Sequence, residues 1–173
     1  MTASPAAPGL TWLNTAVESD ARAALHEVCA ARTWADAVLA HRPYTGTAAL
    51  LAASDAATGE LTAAGLAEAM AGHPPIGRPR PGDPSSAREQ RGMAGASEQL
   101  KAEMLELNLA YQEKFGHVFL ICATGLTAGQ MRDAARDRIG NPAETEREIV
   151  RTELTKINRL RLSGLAARES ERA

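Results

Sequence analysis

Aromatic residues make up only 3% of this 173-residue chain. Few Phe, Tyr or Trp rings are therefore at hand for stacking nucleic-acid bases. No run or face of basic residues stands out. The 19 Lys and Arg against 21 Asp and Glu leave a net charge of −2, so nothing draws the chain to a phosphate backbone. No apolar stretch approaches the ~20 residues needed to cross a bilayer. The opening Met1-Thr2-Ala3-Ser4-Pro5 lacks a basic n-region and a long apolar h-region, and Arg172-Ala173 is no peroxisomal tripeptide. The expectation is a cytoplasmic protein with no nucleic-acid and no membrane partner. There are two cysteines, Cys29 and Cys122, far apart and outside any Cys-x-x-Cys pair. Buried, reduced thiols are the simplest reading. Phosphate-binding loops, dinucleotide fingerprints, nucleophile elbows and His-Glu-x-x-His zinc motifs are all missing.

What is present is helical patterning over nearly the whole length. Residues 1–10 are expected to be a disordered or loosely docked tail and residues 11–170 a helical domain. Leu25, Val28 and Cys29 fall at spacings of three and four between Asp20 and Ala31. Thr33 is placed to cap a helix through Trp34, Val38 and Leu39 that stops before Pro43. Thr47 to Ala57 is rich in Ala and Leu, and Thr62 opens a further helix through Leu66 and Met70. Residues 71–84, AGHPPIGRPRPGDP, cannot be helical, and so long a loop in a compact domain is often functional. Helix is expected again from Ser86 to about Lys114, with Gly92 and Gly95 as weak points and Gly116 as the stop. The apolar run Val118 to Ala123 is a buried extended segment or a short helical turn. Thr127 and Gln130 form a capping-box pattern, and Asn141-Pro142 starts a final helix to about Ala167. The predicted fold is all-α, a single-domain helical bundle with one long Pro/Gly-rich active-site loop.

That loop holds the residue with the clearest chemical potential. His73 is followed by Pro74 and Pro75. Pro fixes its own φ near −65° and pushes the preceding residue toward extended backbone, so this imidazole stands on a stiff mount. Such a group loses little entropy on meeting a substrate and suits acid–base or electrostatic work. Ser86-x-x-Glu89 admits two readings. It is a capping box, or a helix start whose N–H groups, with Glu89 and Gln90, face an anionic ligand. His26, His41 and His117 are better explained as ordinary hydrogen-bonded residues. In the last helix Val150, Leu154, Ile157, Arg161 and Leu165 form one stripe. Arg161 is the charge on that apolar face, so it needs an internal acidic partner, a snorkelling stem or a bound anion.

Taken together, these segments resemble the OHCU decarboxylase family, where OHCU is 2-oxo-4-hydroxy-4-carboxy-5-ureidoimidazoline. Trp12-Leu13-Asn14, Val28-Cys29, Trp34-Ala35 and Arg42-Pro43 are similar to its opening helices. His73-Pro74-Pro75-Ile76-Gly77 resembles its catalytic loop and Ser86-Ala87-Arg88-Glu89-Gln90 its Ser-x-x-Glu-Gln helix start. Asn108 to Tyr111, Lys114-Phe115-Gly116 and Phe119 to Ala123 resemble its central segment, and 156–162 its closing helix. The likeness spans about residues 12–165; the loop 78–84 departs from it. The resemblance implies a homodimeric carboxy-lyase of urate breakdown that forms (S)-allantoin with neither metal nor organic cofactor. It implies catalytic roles for His73 and Glu89, with Pro74, Ser86, Gln90, Arg161 and the backbone of Leu120, Ile121 and Cys122 binding substrate. Without the resemblance, the same features would also fit a non-catalytic helical interaction module whose Pro/Gly loop is a docking loop.

Overall fold

The computed structural model describes residues 7–168 and is all-α, with ten helices and no strand among the described residues. They are α1 Pro8–Thr15, α2 Glu18–Val28, α3 Arg32–Ala40, α4 Thr47–Gly59, α5 Ala63–Ala71, α6 Pro84–Glu89, α7 Arg91–Ala94, α8 Glu98–Phe115, α9 Ala128–Arg138 and α10 Ala143–Ala167. No described helix is long and apolar enough to cross a membrane. Of the expected tail, residues 1–6 lie outside the described residues, as do 169–170 at the far end of the expected domain. Residues 8–10 are helical instead: Pro8 stands at the N-terminus of α1, where its missing N–H costs nothing, and Leu10 and Leu13 are fully buried. Thr33 is inside α3 rather than its cap; Ala31 takes that position without a side-chain hydrogen bond.

The chain forms two compact units, Met1–Ala69 with Thr155–Ala173, and Met70–Leu154. In the first, α2 packs on α3 and α3 on α4. Its core includes Leu25, Trp34, Val38, Leu50, Leu66 and Leu162. Helix α1 lies so close to α10 that a Cβ on Gly9 would sit 2.0 Å from the Leu165 carbonyl oxygen. Two hydrogen bonds join buried polar side chains inside this unit. Trp34 Nε1 donates to Ser54 Oγ at 3.2 Å, and Asn158 Nδ2 to Thr58 Oγ1 at 3.3 Å. Cys29 is a free, buried thiol, and burial pushes it above the usual thiol range.

In the second unit, α8 packs against α9 around Ile76, Met93, Met104, Tyr111, Phe119, Ala123 and Met131. The helix expected over 86–114 is three helices. Asp83 caps the first, with its carboxylate accepting from Ser85 N at 2.9 Å and Pro84 at the first helical position. Ser97 caps α8 through Leu100 N at 3.2 Å, and Gly116, at φ +78°, ends it in the left-handed conformation that glycine takes without cost. The short α7 comes so close to its neighbours that a Cβ on Gly92 would lie 2.1 Å from the Leu126 carbonyl oxygen. Thr127 and Gln130 form the capping box of α9, with both reciprocal bonds present. Residues 118–123 are neither helix nor strand, and Phe119, Leu120 and Ala123 are buried.

Candidate active site

His73 leaves the last turn of α5, its backbone N–H donating to Met70 O at 3.0 Å, and its side chain is buried. The two prolines that follow carry the chain into a tight turn over 75–78, closed by Arg78 N donating to Pro75 O at 3.0 Å. Gly77 occupies the third position at φ +86°, as a type II turn demands, and a side chain there would be strained. Gln90, at the junction of α6 and α7, grips this turn from both sides. Its Oε1 accepts from Gly77 N at 2.8 Å, and its Nε2 donates to Pro75 O at 3.1 Å. Both ends of the Gln90 amide are thereby engaged with the histidine loop.

Ser86 does not form a capping box with Glu89, because the cap belongs to Asp83 and places Ser86 inside α6. Its buried hydroxyl donates to Asp83 O at 3.2 Å and accepts from Arg80 N at 3.0 Å. The Arg80 guanidinium reaches back to Gly72 O at 3.0 Å. The segment between α5 and α6 is thus closed on itself, from Gly72 through Arg80 to Ser86. Glu89, half-buried, is the last residue of α6, beside Gln90. His73, Pro74, Ser86, Glu89 and Gln90 are therefore carried by one internally bonded segment.

A buried ionic cluster holds the second predicted segment, 120–122. Arg138 Nη1 donates to Leu120 O at 2.7 Å, and its guanidinium lies 4.6 Å from the centre of the Phe119 ring. Its Nε donates to Glu146 Oε1 at 2.7 Å. Tyr111 Oη donates to the same oxygen at 2.5 Å, and Asn141 Nδ2 to Glu146 Oε2 at 3.1 Å. Glu146 is fully buried, and the cost of burying its carboxylate is offset because both oxygens accept hydrogen bonds and Arg138 pairs with it. Burial, then the neighbouring Glu146 carboxylate, pushes the Tyr111 phenol well above its ordinary range. On the other side, Cys122 N donates to Glu153 Oε2 at 2.8 Å. Leu120 O and Cys122 N are thus each engaged by a charged side chain, which fixes the course of the segment between them.

Arg161 belongs to the first unit. It is half-buried, with Nη1 donating to Val28 O at 3.2 Å and Glu27 O at 3.5 Å. These are carbonyls at the C-terminus of α2, where a cation also meets the negative end of the helix dipole. Both acceptors are main-chain oxygens of α2.

The OHCU decarboxylase family profile matches residues 14–163, a span that includes the histidine loop, the α6 segment, the 120–122 backbone and Arg161. The chain belongs to the OHCU decarboxylase family. It is 31% identical over 144 residues to the uric acid degradation bifunctional protein TTL of Arabidopsis thaliana, covering 79% of this chain and 44% of that protein. It is 30% identical over 101 residues to the uric acid degradation bifunctional protein PucL of Bacillus subtilis, covering 57% of this chain and 20% of that one. The matched region thus spans less than half the length of these curated relatives. Among solved structures, an OHCU decarboxylase crystallised in the presence of (S)-allantoin matches with a TM-score of 0.74 and 27% identity, over 83% of this chain and 96% of that chain. An (S)-allantoin synthase structure, at 18% identity and a TM-score of 0.68 over 90% of this chain and 53% of that chain, shares the fold.

Sequence reasoning missed Arg138, Glu146 and Glu153. A signal for two of them existed. Arg138 follows Ala128, Met131 and Ala135 on the buried stripe of α9, and Glu146 extends the Val150–Leu154 stripe of α10 back by four residues. The stripe argument that singled out Arg161 applies to both with more force, since they are the buried charges.

Proposed function

We propose that this chain decarboxylates 2-oxo-4-hydroxy-4-carboxy-5-ureidoimidazoline to (S)-allantoin, as a cofactor-independent carboxy-lyase of urate breakdown. The observation that carries this reading is the family match over 14–163, together with the stiff, doubly clamped mount of His73. A carboxylate leaves as CO2 when the electron pair of the broken C–C bond has somewhere to go, and here the unsaturated ring takes it. One proton then returns to one face of the ring, which sets the hand of the product. The protein's tasks are orientation, charge handling and that single delivery.

His73 sits by the carboxylate or hydroxyl, and Glu89 holds the hydroxyl or carries the proton. Pro74 and the backbone of 120–122 line the pocket, Arg161 binds an anionic or carbonyl oxygen, and Ser86 and Gln90 act largely through their grip on the loop. The working form is a cytoplasmic homodimer with the ureidoimidazoline as its small-molecule substrate.

The test generates the short-lived substrate in place from urate with the two upstream activities and follows circular dichroism. The wild-type chain is expected to speed the appearance of one allantoin enantiomer. His73→Asn and Glu89→Gln are each expected to slow it by roughly 10²–10⁴-fold while folding normally. Racemic product formed at a rate the protein does not change would refute the assignment.

A further inference from the structure

Asn108 is the residue of the second unit whose chemistry the fold leaves unexplained. It lies on the inward face of α8 between Met104 and Tyr111 and is 9% exposed. Its Nδ2 donates to Ile76 O at 2.8 Å, and its Oδ1 is buried with no hydrogen-bond partner. A buried amide with one satisfied end serves packing poorly, because sealing an unpaired carbonyl oxygen from water opposes folding. An apolar side chain would fill that place in the core without the penalty. The one bond Asn108 does make goes to the histidine loop.

We propose that Asn108 is a positioning residue for the reaction, fixing His73 through Ile76; this rests on the decarboxylase reading above. Ile76 stands between the two residues that Gln90 grips, Pro75 and Gly77. Three consecutive residues are thus tied to side chains from two other elements, Gln90 at the α6–α7 junction and Asn108 on α8. Between Ile76 and His73 stand only two prolines, whose ring-locked φ angles transmit a displacement instead of absorbing it. On its other side His73 is tied to α5 through Met70 O. With Ile76 released, the turn keeps only its bonds to Gln90, and the imidazole gains freedom to shift about the α5 anchor. Displacements of about 1 Å in a reacting group cost on the order of 10²-fold in rate.

The test compares wild type with Asn108→Ala, and with Asn108→Ser should the alanine variant fail to fold. Leu107→Ala, on the same helix and packed against the same core, serves as the stability control. Three quantities are read: kcat and KM separately, the thermal midpoint, and hydrogen exchange at the Gly77 and Arg78 amides. We expect kcat to fall roughly 10–100-fold with KM within about 3-fold, since the lost interaction orients a reacting group and does not bind substrate. The two loop amides should exchange faster, and the midpoint should drop no further than in Leu107→Ala, whose kcat should stay near wild type. An unchanged kcat with unchanged loop exchange would overturn the proposal, as would a kcat loss that Leu107→Ala reproduces. Should wild type itself fail to accelerate the reaction, the decarboxylase reading fails. The loop exchange then decides on its own whether Asn108 holds the turn.

Discussion

Replacing Tyr111 by Phe deletes one oxygen from the buried cluster behind residues 120–122 and leaves the ring in place. The ring's packing against Phe119, with centroids 5.3 Å apart, and Phe115, at 4.6 Å, is retained. What is lost is the phenol's bond to Glu146 Oε1 at 2.5 Å. Hydrogen bonds to charged groups contribute about 1.5–3 kcal/mol. Arg138 Nε still serves that oxygen and Asn141 the other, so the carboxylate is not stranded. The cost should therefore be about 2 kcal/mol and not the 3–5 kcal/mol of a broken buried ion pair. For a chain of this size that corresponds to a fall in Tm of roughly 4–8 °C. The pH dependence has a definite sign. Burial and Glu146 hold the Tyr111 phenol above its unfolded value, so above about pH 10 the unfolded chain releases a proton that the folded chain keeps. The stabilisation is complete below about pH 10 and is lost as pH rises toward the folded value. The gap between wild type and Tyr111→Phe should thus be constant near neutrality and close under alkaline conditions. Thermal or urea unfolding followed by far-UV circular dichroism measures it. A Tm within about 1 °C of wild type at pH 7, or a gap that widens with alkali, would refute the reasoning.

The remaining expectations concern both units. Burial raises the Tyr44 phenol, which donates to Val38 O at 2.6 Å, to about 12. Between about pH 10 and that value wild-type stability should fall with a slope approaching 1.4 kcal/mol per pH unit from this group, and Tyr44→Phe should flatten the alkaline limb by that much. An alkaline limb that Tyr44→Phe leaves unchanged would show that the hydroxyl does not titrate as its burial requires. Gly92→Ala should cost about 1–3 kcal/mol, because the new methyl meets the Leu126 carbonyl, a backbone group that cannot turn aside. A denaturant midpoint equal to wild type would mean that α7 shifts freely and is not pressed against that carbonyl.

Local rules sufficed where the decisive partners are a few residues apart. The Gly116 stop and the Thr127–Gln130 capping box follow from conformational limits written into single residues or reciprocal bonds across one turn, whereas the span 71–84 expected to be non-helical loses Ala71 to α5 and Pro84 to α6. The same rules failed at Ser86, where the Ser-x-x-Glu pattern competes with Asp83-Pro84 just upstream. The earlier pair prevails by joining a side-chain cap to a proline already set for the helix. The break of the expected 86–114 helix was half visible: the glycines were seen, but not the Leu126 carbonyl that makes Gly92 necessary.

The sequence by itself determined an all-α chain, a stiffened histidine, and the family to which these belong. Only the tertiary structure decided what holds that chemistry in place. Asn108 meets Ile76 across 32 residues, Tyr111 meets Glu146 across 35, and Glu153 meets Cys122 across 31. Helical periodicity says which face of a helix turns inward, but not which group from another element waits there. A buried polar side chain is explained only by the partner it finds, and that partner is assigned when the helices pack.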